Sequence, residues 1–136
     1  MTTDTDPNEA LLPDSIGIEW IEIVPSLTRA RLFVAHKHMA PNGFLHAASV
    51  IGLADSAAGL GCIRSLPDGA TSFTTIELKT NFLGTARLGE TIAVTAHLVH
   101  GGRTTQVWDA EVVNETTGKK TAFFRCTQLL LYPKAS

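Results

Sequence analysis

The sequence predicts an α+β domain in which an antiparallel sheet wraps around one long central helix. Three observations carry that prediction. Six segments alternate apolar and polar residues as strands do; one segment, 44–66, is apolar on every side; and turn residues join strand to strand with no further helix between them.

Order along the chain begins near Ile16. Residues 16–35, "IGIEWIEIVPSLTRARLFVA", alternate on both sides of Pro25-Ser26, which predicts two strands and a turn. A loop follows through "HKHMAPNG", with Pro41, Asn42 and Gly43 as turn residues. The segment "FLHAASVIGLADSAAGLGCIRSL" is long enough for about six helical turns and ends before Pro67 and Gly69. Being apolar all round, it is expected to be buried. After it come four strands, at "TSFTTIELKTNFL", "TIAVTAHLVH", "TTQVWDAEVV" and "TAFFRCTQLLLY". Gly101-Gly102 and "NETTGKK" supply the last two hairpin turns. In the first of the four, alternation places Ile76, Leu78 and Phe82 on one face and Thr75, Glu77 and Lys79 on the other. Residues 1–15 are expected to be a flexible tail and 16–136 a single domain.

Bulk properties exclude several function classes. Eleven basic residues balance 13 acidic ones, which leaves no basic footprint for nucleic acid and no polybasic membrane patch. No run approaches the roughly 18 apolar residues of a membrane span. The polar, acidic start lacks the pattern of a secretory signal, so a cytoplasmic protein is expected. Cys62 and Cys126, both in apolar segments, read as buried thiols rather than a disulfide. The histidines at 36, 38, 46, 97 and 100 show no helical metal-binding pair, and no C-x-x-C occurs, so no metal or other cofactor is expected.

Asp55 is the residue that asks for an explanation. It is the single carboxylate inside the apolar helix, and an ionised carboxylate is costly to bury without compensation. Its helix neighbours, Ala48, Ile51, Gly52, Ala58 and Gly59, are mostly small, so another backbone or a ligand can approach; for the glycines alone, tight packing on the sheet is the preferred reading. The first N–H groups of the helix, near His46, Ala47 and Ala48, are unpaired within it and lie at the positive end of its dipole. They are suited to a carbonyl or an oxyanion. Asp55 lies eight residues beyond Ala47, about 12 Å along the axis. One carbonyl cannot touch both in one chain, so a shared site requires a two-fold dimer.

"PNGFLHAASVIGLAD", "TTIELKTNFLGTARLGE" and "GRTTQVWDAEVVNETTG" resemble hotdog-fold acyl-CoA thioesterases of the phenylacetate-degradation type, over nearly all of Ile16 to Leu131. The family motif is commonly G-x-x-H-G-G followed by an acid nine residues after the histidine; here it is matched by Gly43, His46, Ala47, Ala48 and Asp55. The resemblance implies an acyl-CoA substrate, a homodimer and further a homotetramer. It implies Asp55 as general base or nucleophile, the Ala47 N–H as the carbonyl's partner and Thr75 as a holder of the attacking water. His46 is a candidate for catalysis or for capping and packing. Gly102, Arg103 and Thr104 resemble a turn that lies along the coenzyme A arm, where Arg103 would meet a phosphate. The chain departs from the pattern in having alanine at 47 and 48, and Ala40 where relatives carry Asn or Gln six residues before the histidine. Asn42, in the same loop, is the candidate substitute, although in "PNG" it is first a turn residue. The alternatives to a thioesterase are a non-catalytic acyl-CoA binder and an enoyl-CoA hydratase. The second needs a close Asp–His pair, which this loop does not offer.

Overall fold

The computed structural model describes residues 10–134. Six antiparallel strands form one sheet, and one long helix packs across it. The elements are α1 (Leu12–Ser15), β1 (Ile18–Val24), β2 (Leu27–Phe33), a 3₁₀ turn at His36–His38, α2 (Ala47–Arg64), β3 (Ser72–Phe82), β4 (Thr91–Gly101), β5 (Thr105–Asn114) and β6 (Lys120–Leu131). Strand order is β1-β2-β4-β5-β6-β3, so the strand that follows the helix ends at one edge of the sheet. This is the α+β arrangement that the segment order predicts and the hotdog fold that the resemblance implies. The expected tail over 1–15 lies largely outside the described residues, and Leu12–Ser15 form a single helical turn that leads Ile16 onto the core.

Helix α2 is shorter than its apolar pattern suggests, beginning at Ala47 and not at Phe44. The chain before it folds back on itself. Ala40 N–H donates to Phe44 O at 2.7 Å, Met39 bridges Leu45, and His46 N–H donates to His38 O at 3.0 Å. Gly43 turns this small loop at φ 87°, a conformation that costs glycine little. Phe44 and Leu45 are therefore committed to extended pairing and cannot enter the helix. Buried His38 holds the loop from beneath: its Nδ1 accepts from Ala35 N–H at 2.9 Å, and its Nε2 lies 2.6 Å from Ile16 O.

The core lies between one face of α2 and the face of the sheet that it covers. Leu53, Ala54, Ala57, Ala58 and Cys62 press against residues such as Leu32, Val94, Trp108 and Cys126. Each fully buried large apolar side chain of this kind contributes about 1.5–3 kcal/mol. Both thiols are free and buried, as the sequence suggests. No described helix is long and apolar enough to cross a membrane.

One correction concerns β3. Thr75 pairs with Gln128, but Glu77 pairs with the very next residue, Thr127, so Ile76 is an extra residue in the strand. Such a bulge flips the alternation on either side of it. Thr75 therefore points inward beside Gln128, while Glu77 and Lys79 line the outer face with Asp109 and Arg125. Thr75 does not share a face with Glu77 and Lys79, and Ile76, on the bulge, is 56% exposed.

Candidate active site

Asp55 sits on the third turn of α2, half-buried, next to Thr75 of the edge strand. Its Oδ1 is inaccessible to solvent and has no hydrogen-bond partner among the described residues. Burial raises the carboxyl pKa above the ordinary aspartate value, and the Thr75 hydroxyl draws it partly back. An acid held this way is a stronger base than a solvated carboxylate, which suits proton abstraction from water. Nearby Cys126 and Cys62 stay neutral, since burial raises their thiols to about 12 and about 11.

The helix start supplies the complementary group. His46 is the N-cap, and its Nδ1 accepts from Ala48 N–H at 2.9 Å. Ser49 N–H donates to His46 O at 2.9 Å. Ala47 N–H is left without a partner among the described residues, and Ala47 itself is exposed. A bare amide at a helix N-terminus is a hydrogen-bond donor for a carbonyl oxygen that gains negative charge. Asn42 is exposed on the preceding turn, where its Oδ1 accepts from Phe44 N–H at 3.2 Å. That contact is a turn contact, with the amide nitrogen left outward.

The Gly102–Thr104 turn belongs to the opposite end of the helix. Thr104 O accepts from Leu130 N–H, Arg103 O accepts from the Tyr132 hydroxyl, and Gln106 Nε2 reaches Ser65 O, the C-cap of α2, at 2.8 Å. Arg103 and Thr104 are exposed, and Arg103 makes no ion pair among the described residues. Within one chain, Asp55 and Thr75 thus come together, Ala47 and His46 lie about 12 Å away, and Arg103 lies near the far end of a helix about 25 Å long.

Sequence reasoning missed Gln128. It is completely buried, and its Oε1 accepts the Thr75 hydroxyl at 2.7 Å. A glutamine at an inward position of the apolar strand "AFFRCTQLLL" was the available signal, since an amide is buried only when bonded. A groove of about 450 Å³ on the outer face of the sheet, walled by Lys79, Asp109 and Arg125, contains none of Asp55, Thr75 or Ala47.

Comparison with known proteins shows the family. The family model described as the thioesterase superfamily matches residues 42–125, which contain the helix start, Asp55 and Thr75. The 1,4-dihydroxy-2-naphthoyl-CoA hydrolase of Listeria monocytogenes serotype 1/2a (strain 10403S) is 32% identical over 116 residues, spanning 85% of this chain and 92% of that protein. Among solved structures, the PaaI protein of the E. coli phenylacetic acid degradation operon superposes with a TM-score of 0.77 at 24% identity, over 87% of this chain and 86% of its own. The smu.793 protein of Streptococcus mutans UA159, solved with acetyl CoA bound, superposes with a TM-score of 0.78 at 22% identity, over 98% of both chains.

Proposed function

This chain belongs to the thioesterase superfamily and is a thioester hydrolase, and from that premise we propose that it cleaves an acyl-coenzyme A with Asp55 as general base at a site shared by two subunits. The observation that carries the reading is the unpartnered, buried Oδ1 of Asp55 beside Thr75. Asp55 takes a proton from water as the water oxygen bonds to the thioester carbon. The Ala47 N–H of the other subunit stabilises the charge that develops on the carbonyl oxygen. As the tetrahedral intermediate collapses, the carbon–sulfur bond breaks and Asp55 returns its proton to the departing thiolate. The products are the free acid and coenzyme A. Gly102, Arg103 and Thr104 lie along the coenzyme arm, with Arg103 toward phosphate. His46 serves as the cap that presents the Ala47 amide, and Asn42 shapes the same loop and offers its amide nitrogen.

Three features support the dimer. Strand β3 is an edge of 11 residues with exposed Ile76, Leu78 and Phe82, an unpaired ladder that a second copy would extend. Ala48, Ile51, Gly52, Asp55 and Ser56 form a partly exposed stripe on α2 at helical spacing, beside that edge. The separation of about 12 Å between Ala47 and Asp55 along one helix calls for a second chain. The tetramer rests on family resemblance. The Listeria relative acts on an aromatic acyl-CoA by its name, which makes aromatic acyl groups the first to try.

The test is coenzyme A release across aliphatic and aromatic acyl-CoAs by wild type and Asp55→Asn. The variant is expected to remain folded and dimeric and to lose at least about two decades in rate, the usual contribution of a positioned base. Near-normal turnover by Asp55→Asn would refute the mechanism.

A further inference from the structure

We propose that Gln128 is a positioning residue that claims the single proton of the Thr75 hydroxyl, leaving the hydroxyl oxygen and Asp55 as paired acceptors for the attacking water. The inference rests on the reading of Asp55 as the base.

Gln128 is an expensive residue for its location. It is fully buried on β6, and an amide there costs about 1–3 kcal/mol unless its hydrogen bonds are made. Leucine would fill such a position at no polar cost. Gln128 also differs from Gln106, the buried glutamine directly across from it on β5. Gln106 is used up structurally, with Nε2 on Ser65 O and Oε1 on the indole N–H of Trp108, each at 2.8 Å. The Gln128 carbonyl instead meets Thr75 at 2.7 Å, while its Nε2 makes only a 3.4 Å contact with Cys126 Sγ. The bulge at Ile76 is what turns Thr75 inward to make this contact.

A hydroxyl has one proton and two lone pairs. Two acceptors flank Thr75, the Asp55 carboxylate and the Gln128 carbonyl; the hydroxyl's 2.7 Å bond runs to Gln128, so the carboxylate feels only part of the hydroxyl's pull. A water between Asp55 and Thr75 then meets two acceptors and gives one hydrogen to each. Its remaining lone pairs are turned away from both, toward the substrate carbonyl. Without Gln128 the Thr75 proton would turn fully to Asp55, lowering its basicity beyond the partial pull the hydroxyl already exerts and removing one anchor of the water. Other titratable groups do not override this balance. Cys62 on α2 and Cys126 on β6 are neutral thiols. Glu77 and Lys79 on β3, Asp109 on β5 and Arg125 on β6 line the outer face of the sheet.

The experiment is a double-mutant cycle of Gln128→Met and Thr75→Val, with kcat, KM and pH profiles measured on the intact protein. Gln128→Met is expected to lower kcat by about tenfold, at the modest end of what proton-transfer groups contribute, with KM changed by less than about twofold. The acid limb of its kcat/KM profile is expected to move to lower pH. In the Thr75→Val background the same substitution should change kcat by less than about twofold, because residues that act through one another are not additive. An unchanged kcat, or an equal loss in both backgrounds with an unmoved acid limb, would overturn the proposal. Should Gln128→Met fail to fold, the wild-type protein supplies the test by NMR of the Thr75 hydroxyl proton. Its resonance is expected to stay in place as Asp55 ionises, and a large shift onto the carboxylate would refute the assignment. Asp55→Asn run alongside separates the two ideas: an inactive Asp55→Asn with a normal Gln128→Met overturns the role of Gln128 alone, whereas an active Asp55→Asn overturns both.

Discussion

Gly61 on α2 lies directly under the indole of Trp108 on β5: a Cβ on the glycine would fall 2.5 Å from Trp108 Cη2 and 2.8 Å from Thr28 Oγ1. Trp108 is fully buried and held by its bond to Gln106, so the ring has nowhere to go. Packing is therefore why this helix carries a glycine there, and the closeness of α2 to the sheet depends on it.

Gly61→Ala is accordingly expected to destabilise the protein. Alanine gains about 1 kcal/mol in helix propensity, but overpacking a rigid contact costs about 1–3 kcal/mol. A net loss of up to about 2 kcal/mol in urea denaturation is the expected result. Gly52→Ala is the contrast, because its new methyl meets only the end of the Ile16 side chain at 3.2 Å. It should be neutral or stabilising.

The buried carboxylate gives stability and activity opposite dependences on pH. Burial puts the folded pKa of Asp55 above 3.8, its ordinary value. The folded state therefore holds this proton more tightly than the unfolded state, and its contribution to stability declines as pH rises from 3.8 through the folded pKa. Asp55→Asn should melt at a higher temperature than wild type at neutral pH, with the advantage disappearing below pH 3.8. Wild-type kcat/KM should fall on the acid side with a midpoint above 3.8. Equal melting temperatures at all pH values would contradict the destabilising burial of the carboxylate.

His46 can be tested as a cap separately from catalysis. Its Nδ1 bond to Ala48 N–H is the cap of α2. His46→Ala should cost about 1 kcal/mol, the usual value of a side-chain cap. Asparagine is a strong cap, so His46→Asn should recover that stability and keep kcat within a few-fold of wild type. A stable His46→Asn variant with kcat reduced a hundredfold would make the imidazole itself a catalytic group.

Mixed subunits test whether two chains build each site. Ala47 is the first helical residue, where proline is tolerated, and His46 before it has φ −67° and ψ 133°, the extended conformation a following proline requires. Ala47→Pro deletes the proposed carbonyl donor with little damage to the fold. Exchange of inactive Ala47→Pro with inactive Asp55→Asn subunits, followed by mass, should restore roughly a quarter of wild-type activity, since half the dimers are mixed and each has one intact site. Demonstrated exchange without recovery would place both groups in one chain.

The two thiols should be silent in the native protein. With pKa values raised to about 11 and about 12, Cys62 and Cys126 are protonated and enclosed at pH 8. A disulfide reagent is expected to titrate no thiol until denaturant is added and then to titrate both. Rapid modification of the native protein would show that the core opens on the timescale of the reaction.

The sequence by itself determined the elements and the residue around which the candidate site is built. Alternation of period two and a continuous apolar stretch are local signals, so the strands, α2 and the order between them were legible. Asp55 was legible because a lone acid in an apolar helix needs no partner to be conspicuous. What depends on pairing across the sheet was not. The bulge at Ile76 arises only when β3 meets β6, and it moves Thr75 to the inside, away from the face its spacing suggested. Helix α2 lost Phe44 and Leu45 because the loop before it makes backbone bonds to residues as far back as His38. Gln128 looked like one polar residue in an apolar strand until the fold laid it against Thr75, 53 residues away in the chain. Local periodicity fixes which way a side chain would point in an ideal strand; long-range contacts decide where the strand departs from ideality, and the geometry at Thr75 lies at such a departure.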